Sequence, residues 1–153
     1  MMSPAHEVLS QLVDVESHVL ARIADDEAAR PRGPGKWSRK QILGHLIDSA
    51  LNNHQRLVRA VIAGSVSFPG YQQDLWVEAQ GHAGESWDEL IRLWSHVNRL
   101  LARVIRQIPA GRLSAECRIG EGSPVTIGWL VDDYLRHTKH HLAQITEASS
   151  RSP

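Results

Sequence analysis

The residues best suited to chemistry lie near the end of the chain, in Asp132-Asp133-Tyr134-Leu135-Arg136-His137-Thr138-Lys139-His140-His141-Leu142-Ala143-Gln144. In a helix His137 and His141 are i and i+4, on one face with Cβ atoms about 5–6 Å apart. Two imidazoles at that spacing can share one metal ion. The pair alone is not specific: nine His in 153 residues give roughly 0.5 such pairs by chance when template matches are counted. Two ordinary surface or core histidines are the competing reading, and the rest of the chain has to decide. His140 is turned about 100° from His141 on a helix and is not expected to reach the same ion.

A second constellation lies in the first half. His45, Asp48, Ser49, Asn52 and Arg56 recur at one-face positions of a helix. Such a stripe is either a solvated face or the lining of a polar cavity inside a bundle, where each group must find a partner. Both readings stand on spacing alone. Cys117 has no local His and no helix-start signature, so a partly buried structural cysteine is the expectation rather than a nucleophile. His6, His18 and His96 are expected on solvent-facing surfaces, and His54 and His82 have no assigned role.

The elements that must position these groups are helices. Ser3-Pro4 reads as a cap followed by Pro at the first helical position. Val8, Leu9, Leu12, Val15, Val19 and Ile23 follow at helical spacing, to an end near Arg30 before Pro31-Arg32-Gly33-Pro34-Gly35. The second helix starts at a capping box, Ser38 with Gln41, with Trp37 and Ile42 placed for a hydrophobic staple. It carries the polar stripe and can end at Gly64. Residues 64–85 form a long connection with Phe68, Tyr71 and Trp76, either a crossover or a lid over a site. Ser86 with Glu89 gives another capping box, and the apolar positions Leu90 to Ile108, Leu100 among them, carry a third helix to Pro109. Leu113 to Ile119 can pair as a short strand. Thr126 can cap a fourth helix whose apolar face includes Trp129, Leu130, Tyr134, Leu135, Leu142 and Ile145. The tail at about 149–153 is expected to fray. Four long helices, two joined by a long crossover, predict an all-α four-helix bundle, one domain over 1–153.

Composition narrows the classes. Lys+Arg and Asp+Glu are both 17, so no net charge favours nucleic acid or an anionic membrane surface. A single cysteine excludes an internal disulfide framework and suits a reducing compartment. No apolar run reaches 18 residues, and Met1 to Pro31 has no secretory cleavage pattern. A cytoplasmic protein is expected, with no nucleic-acid or membrane partner. The oligomeric state is open, a homodimer being one expectation.

Taken together, Pro34-Gly35-Lys36-Trp37-Ser38, then His45-Leu46-Ile47-Asp48-Ser49 with Asn52 and Arg56, the Tyr71 to Trp76 segment and the closing Tyr134 to Ile145 stretch resemble the DinB/YfiT-like family of metal-binding four-helix bundles. The likeness covers about residues 5–148 and is nearest the bacillithiol-transferase-like branch. It implies an up-down-down-up bundle with the long crossover between helices 2 and 3. It also implies a divalent metal, zinc or nickel, held by one His of the second helix and two of the fourth; at the matching positions these are His45, His137 and His141. Relatives of this branch can carry a further His where this chain has Gln144.

The resemblance implies an enzyme that transfers a low-molecular-weight thiol, of bacillithiol or mycothiol type, to an electrophilic small molecule. A metal-dependent hydrolase of amides or esters is the second reading, and a non-catalytic, stress-related metal-binding bundle the third. Ligating histidines usually donate their far N–H to a carboxylate or carbonyl, which makes Asp48 and Asp133 candidate partners. Asp48 is also the best general acid/base candidate for hydrolysis. Asn52 and Arg56 are expected to continue the pocket lining, Arg56 binding a substrate carboxylate or pairing with Asp74.

Overall fold

A computed structural model describes residues 4–149. The cap expected at Ser3 and the tail at 150–153 lie outside the described residues. Four long helices carry the fold: α1 (Ala5–Ala21), α3 (Arg39–Ala63), α5 (Trp87–Gln107) and α6 (Ile127–Ser149). Two short ones, α2 (Asp25–Ala29) and α4 (Gln73–Ala79), sit in the connections. A small sheet is formed by β1 (Val66–Phe68), β2 (Glu116–Ile119) and β3 (Val125–Thr126). No helix among the described residues is long and apolar enough to cross a membrane.

Helix directions follow from a few named bonds. The Trp87 indole N–H, at the start of α5, donates to the Leu20 carbonyl at the end of α1 (2.8 Å). Asp25, just past α1, accepts the Trp87 backbone N–H (2.8 Å) and pairs with Lys40 at the start of α3 (3.0 Å). The end of α1 therefore meets the starts of both α3 and α5. At the other end, β1 follows α3, β2 follows α5, and these strands pair in parallel, Val66 opposite Cys117 and Phe68 opposite Ile119. Arg39 Nε, at the start of α3, donates to the Ile145 carbonyl near the end of α6 (3.1 Å). So α3 and α5 run parallel, and α1 and α6 run against them: an up-down-down-up four-helix bundle.

The helix starts follow their local chemistry. The Ser38–Gln41 capping box is complete, Ser38 Oγ accepting the Gln41 N–H and Gln41 Oε1 accepting the Ser38 N–H. At α5 only half of the expected box forms, because the Ser86 N–H is taken by Glu85 Oε1. Thr126 Oγ1 accepts the Trp129 N–H and starts α6. Gly64 ends α3 with φ of 87°, and a Cβ there would meet Arg112 Nη1 at 2.8 Å.

Three expectations change. The first helix does not run to Arg30; it stops at Ala21, and Asp25 opens α2 instead. Carboxylates are favoured at a helix start, and Asp25 is also needed as acceptor for Trp87 and Lys40. Leu100 and Trp129 lie on the outside, 36% and 44% exposed, rather than in the apolar faces. The strand expected over Leu113–Ile119 starts at Glu116, and its partners β1 and β3 were not anticipated.

The crossover between α3 and α5 is not a free loop. After β1 it forms α4 and a 3₁₀ turn at His82–Gly84, which lie along α3. Gly44 makes this close approach possible: a Cβ on it would stand 2.3 Å from His82 Cγ and 2.5 Å from His82 Cβ. Contact that near the His82 backbone cannot be relieved by a rotamer change. Gly44→Ala gains about 1 kcal/mol of helix propensity but forces overpacking of roughly 1–3 kcal/mol or more. The expected outcome is a net loss of stability that is smaller in a His82→Gly background, which removes the clashing Cβ, than in wild type, read from thermal unfolding of Gly44→Ala, His82→Gly and the double variant. If Gly44→Ala costs as much in both backgrounds, the His82 contact is not the cause.

Candidate metal centre

His45 projects from the second turn of α3, and His137 and His141 from consecutive turns of α6. Their candidate ligand nitrogens all lie within 4.8 Å of one another. His45 Nε2 stands 3.1 Å from His137 Nε2. Ring centroids are 5.0 Å apart for His45–His137, 4.8 Å for His45–His141 and 4.5 Å for His137–His141. Two nitrogens each about 2.0–2.1 Å from a tetrahedral zinc stand about 3.3 Å apart. The first spacing is close to that, and three imidazoles leave a coordination position open.

The protonation states favour ligation. Burial first, then the charges of the neighbouring imidazoles, push His45 down to about 4. Burial and His141 push His137 down to about 4. Burial lowers His141 as well, opposed by its bond to Gln144. Neutral imidazoles are the form that binds metal.

The tautomer at His141 follows from its neighbours. Gln144 Oε1 lies 2.8 Å from His141 Nδ1, and Gln144 Nε2 lies 3.4 Å from His140 Nε2. With its amide turned this way, Gln144 accepts the Nδ1–H, and His141 Nε2 is left as the lone-pair nitrogen. Hydrogen bonding at the far ring nitrogen orients a metal-binding histidine. His137 Nδ1 is 3.5 Å from Ser49 Oγ. His45 Nδ1 is buried without a hydrogen-bond partner among the described residues, its ring beside Trp37 at 5.3 Å between centroids.

The carboxylates are not where the spacing placed them. Asp48, fully buried, does not reach the histidines; its Oδ1 accepts the Gln80 amide and lies 3.0 Å from His82 Nε2. It holds the crossover. Asp133 bonds Arg136 on its own helix and does not hydrogen-bond His137. Asn52 turns away from the cavity beside the histidines and donates to the Asp48 carbonyl (2.9 Å). Helix rotation of about 100° per residue explains this. Measured from His45, Asp48 and Asn52 lie on one flank, whereas Ser49, Asn53 and Arg56 lie on the other. Only the second flank faces α6.

That flank lines a cavity of about 230 Å³ together with His45, His137, Tyr71 and Tyr134. Asn53, which the one-face reading missed, is buried there and donates to the Ser49 carbonyl (2.9 Å). The i, i+4, i+8 run His45, Ser49, Asn53 was its available signal. Arg56 is 9% exposed, with its guanidinium 5.9 Å from the Tyr71 ring centroid. It forms no ion pair with Asp74, which is exposed. Tyr134 donates to Asn98 Oδ1, and burial drives its hydroxyl far above the usual phenol range. Cys117 is buried in β2, and burial raises its thiol, so it is no ready nucleophile. His82, unassigned from sequence, is the buried partner of Asp48.

Comparison with known proteins gives the family and the fold. Residues 9–145 match the DinB superfamily. The chain belongs to that family. A proposed metal-dependent hydrolase of Oceanobacillus iheyensis is 23% identical over 150 residues, covering 96% of this chain and 86% of the relative. YfiT of Bacillus subtilis, also a proposed metal-dependent hydrolase, is 22% identical over 152 residues, covering 95% and 82%. The structure of YfiT, described as an unusual four-helix bundle, superposes with a TM-score of 0.83 at 19% identity, over 99% of this chain and 90% of YfiT. A mutant of a mycothiol-dependent maleylpyruvate isomerase superposes with a TM-score of 0.70 at 16% identity, over 94% of this chain and 63% of the isomerase. These two likenesses establish the fold.

The lowered imidazoles give a signed pH dependence. An unfolded histidine takes up a proton near 6.5, and the folded His45 and His137 only near 4. Between those values the unfolded chain binds more protons, so stability falls as pH falls. Metal-free protein is expected to keep this contribution above about pH 6.5 and to lose it down to about pH 4. Urea midpoints across that window, compared with His45→Gln/His137→Gln, check it; parallel profiles for the two proteins would sink the assignment.

Proposed function

We propose that the protein is a metal-dependent enzyme that joins a low-molecular-weight thiol to an electrophilic small molecule, with His45, His137 and His141 holding the ion. The observation that carries this reading is a neutral three-imidazole cluster that opens onto a cavity and that, among the described residues, has no carboxylate hydrogen-bonded to it. Asp48 is engaged by Gln80 and His82, Asp133 by Arg136, and the Tyr134 hydroxyl by Asn98. Hydrolysis by an activated water usually recruits such a base. Thiol transfer needs none from the protein once the thiol is ionised.

Zinc or nickel suits three imidazoles, and availability selects between such ions. When bound, the ion supplies positive charge that favours the ionised form of a coordinated thiol or water. The chain's own contribution is geometric. Gln144 orients His141, Ser49 sits at the far nitrogen of His137, and the cavity walls place the reactants. The sulfur forms the new C–S bond as the electrophile's leaving group departs with its electron pair, and the thiol proton is released to solvent. The mycothiol dependence of the isomerase that shares this fold is in line with a thiol substrate. The hydrolase reading is kept by the proposed activity of the Oceanobacillus and Bacillus relatives.

Elemental analysis of untagged protein is the first test. About one divalent ion per chain is expected in the wild type. His45→Ala and His137→Ala are expected to weaken binding by at least about tenfold, roughly 1.4 kcal/mol. The loaded protein is then expected to consume thiols in the presence of a haloalkyl fluorophore and to leave simple esters and amides intact. Ester turnover without thiol would move the reading to hydrolysis. Protein that takes up no metal on reconstitution would remove both.

A further inference from the structure

The cavity beside the histidines contains a buried cation with no counter-ion. Arg56 is 9% exposed and makes no hydrogen bond or ion pair with any described residue; its guanidinium lies 5.9 Å from the Tyr71 ring centroid. An arginine is not discharged by burial, and a desolvated charge without a partner is costly. A site that maintains one is set up for an anion. Arg56 lines the same cavity as His45 and His137. Eleven residues of α3, about 16 Å of helix, separate it from His45, and the cavity that both line spans that distance.

The cavity also limits the anion. At about 230 Å³ it is smaller than the roughly 300–1,000 Å³ of drug-sized sites. Its other charged wall is Asp133, already engaged by Arg136, which disfavours multiply charged groups. Tyr71 and Cys117, the groups whose charges act on Arg56, are both held toward their neutral forms by burial. One guanidinium fork fits one carboxylate in bidentate fashion.

We propose that Arg56 is the carboxylate anchor of this cavity and that the ligand is a small thiol bearing a carboxylate, its sulfur directed at the three imidazoles. The thiol end of this assignment rests on the function proposed above; the carboxylate end rests on Arg56 alone.

Calorimetric titration of the metal-free and the metal-loaded protein tests both ends. The probes are mercaptopropionate, mercaptohexanoate and N-acetylcysteine, hexanoate as a carboxylate without sulfur, and the methyl ester of each. In wild type the best-fitting acid is expected to bind about tenfold or more tighter than its ester, a margin that shrinks with added salt. Arg56→Gln is expected to erase the margin and leave ester binding unchanged. Wild-type protein that binds acids and esters alike across the series overturns the anchor without needing any variant, as does an acid preference that survives in Arg56→Gln. Hexanoate preferred over its ester in metal-free protein, with no gain from sulfur on metal loading, supports the anchor and removes the thiol reading. A gain from sulfur with no acid preference does the reverse.

Discussion

The central constraint is the burial of the first half of α3 on every side. Every residue from Ile42 to Ala50 is buried, including His45, Asp48 and Ser49. A helix covered by α5, α6 and the crossover cannot send its polar groups to water, so each must be matched inside. Arg39 finds the Ile145 carbonyl and Glu27, Lys40 finds Asp25, and Asp48 finds Gln80 and His82. These partners are structural, because they tie α6, the end of α1 and the crossover to one helix. Two groups on the same helix lack such matching. His45 meets Trp37 and two other imidazoles and leaves its Nδ1 without a hydrogen-bond partner among the described residues, and Arg56 has an aromatic face but no anion. Both line one cavity. Asp48 Oδ2 is also buried without a partner among the described residues, but on the crossover flank; His45 and Arg56 are the unmatched groups that share the cavity, and they mark the site.

The histidine cluster is held by neutrality rather than by attraction. Three imidazoles this close cannot all be charged, and burial already disfavours the charge on each. A cluster of neutral bases with converging lone pairs gains little from its own contacts. Its stabilisation has to come from the packing of α3 against α6 and from bonds on the outward nitrogens, of which the Gln144 bond to His141 is the clearest. Gln144 holds its amide orientation by touching both His140 and His141. A residue that could be taken as a lost ligand is thereby a device for fixing a tautomer.

The helices were legible because their signals are local. The Ser38–Gln41 box, the Thr126 cap and the Gly64 stop each act within a few residues, and each is found in place. The histidine triplet was legible from family likeness, since spacing alone could relate His137 to His141 but not His45 to either. The error in the α3 stripe was one of resolution. Polar residues within about 60° of His45 were read as one face, whereas α6 and the crossover divide them between two environments. Asp48 and Asn52 fell on the wrong side of that division and Asn53 on the right one. The strands of two to four residues were illegible for another reason: pairing β1 with β2 depends on where α3 and α5 end in space, and no period in so short a run carries that information.

The parallel pairing of α3 and α5 explains why the crossover belongs to the site. The 25 residues of α3 span about 37 Å at 1.5 Å per residue, and the chain must travel back that far before α5 can begin. Extended, residues 64–86 would reach roughly twice the distance needed at about 3.3 Å per residue. The surplus is taken up as β1, α4 and the 3₁₀ turn, which gives the return path side chains to place rather than a bare strand. It places Tyr71 over Arg56 at one level and His82 against Gly44 and Asp48 at another. An antiparallel hairpin between the same helices would need only a few residues and would leave this flank of α3 open. The topology that lengthens the connection therefore also supplies a wall of the cavity, and the polar residues of α3 that would otherwise face solvent become interior groups able to bind.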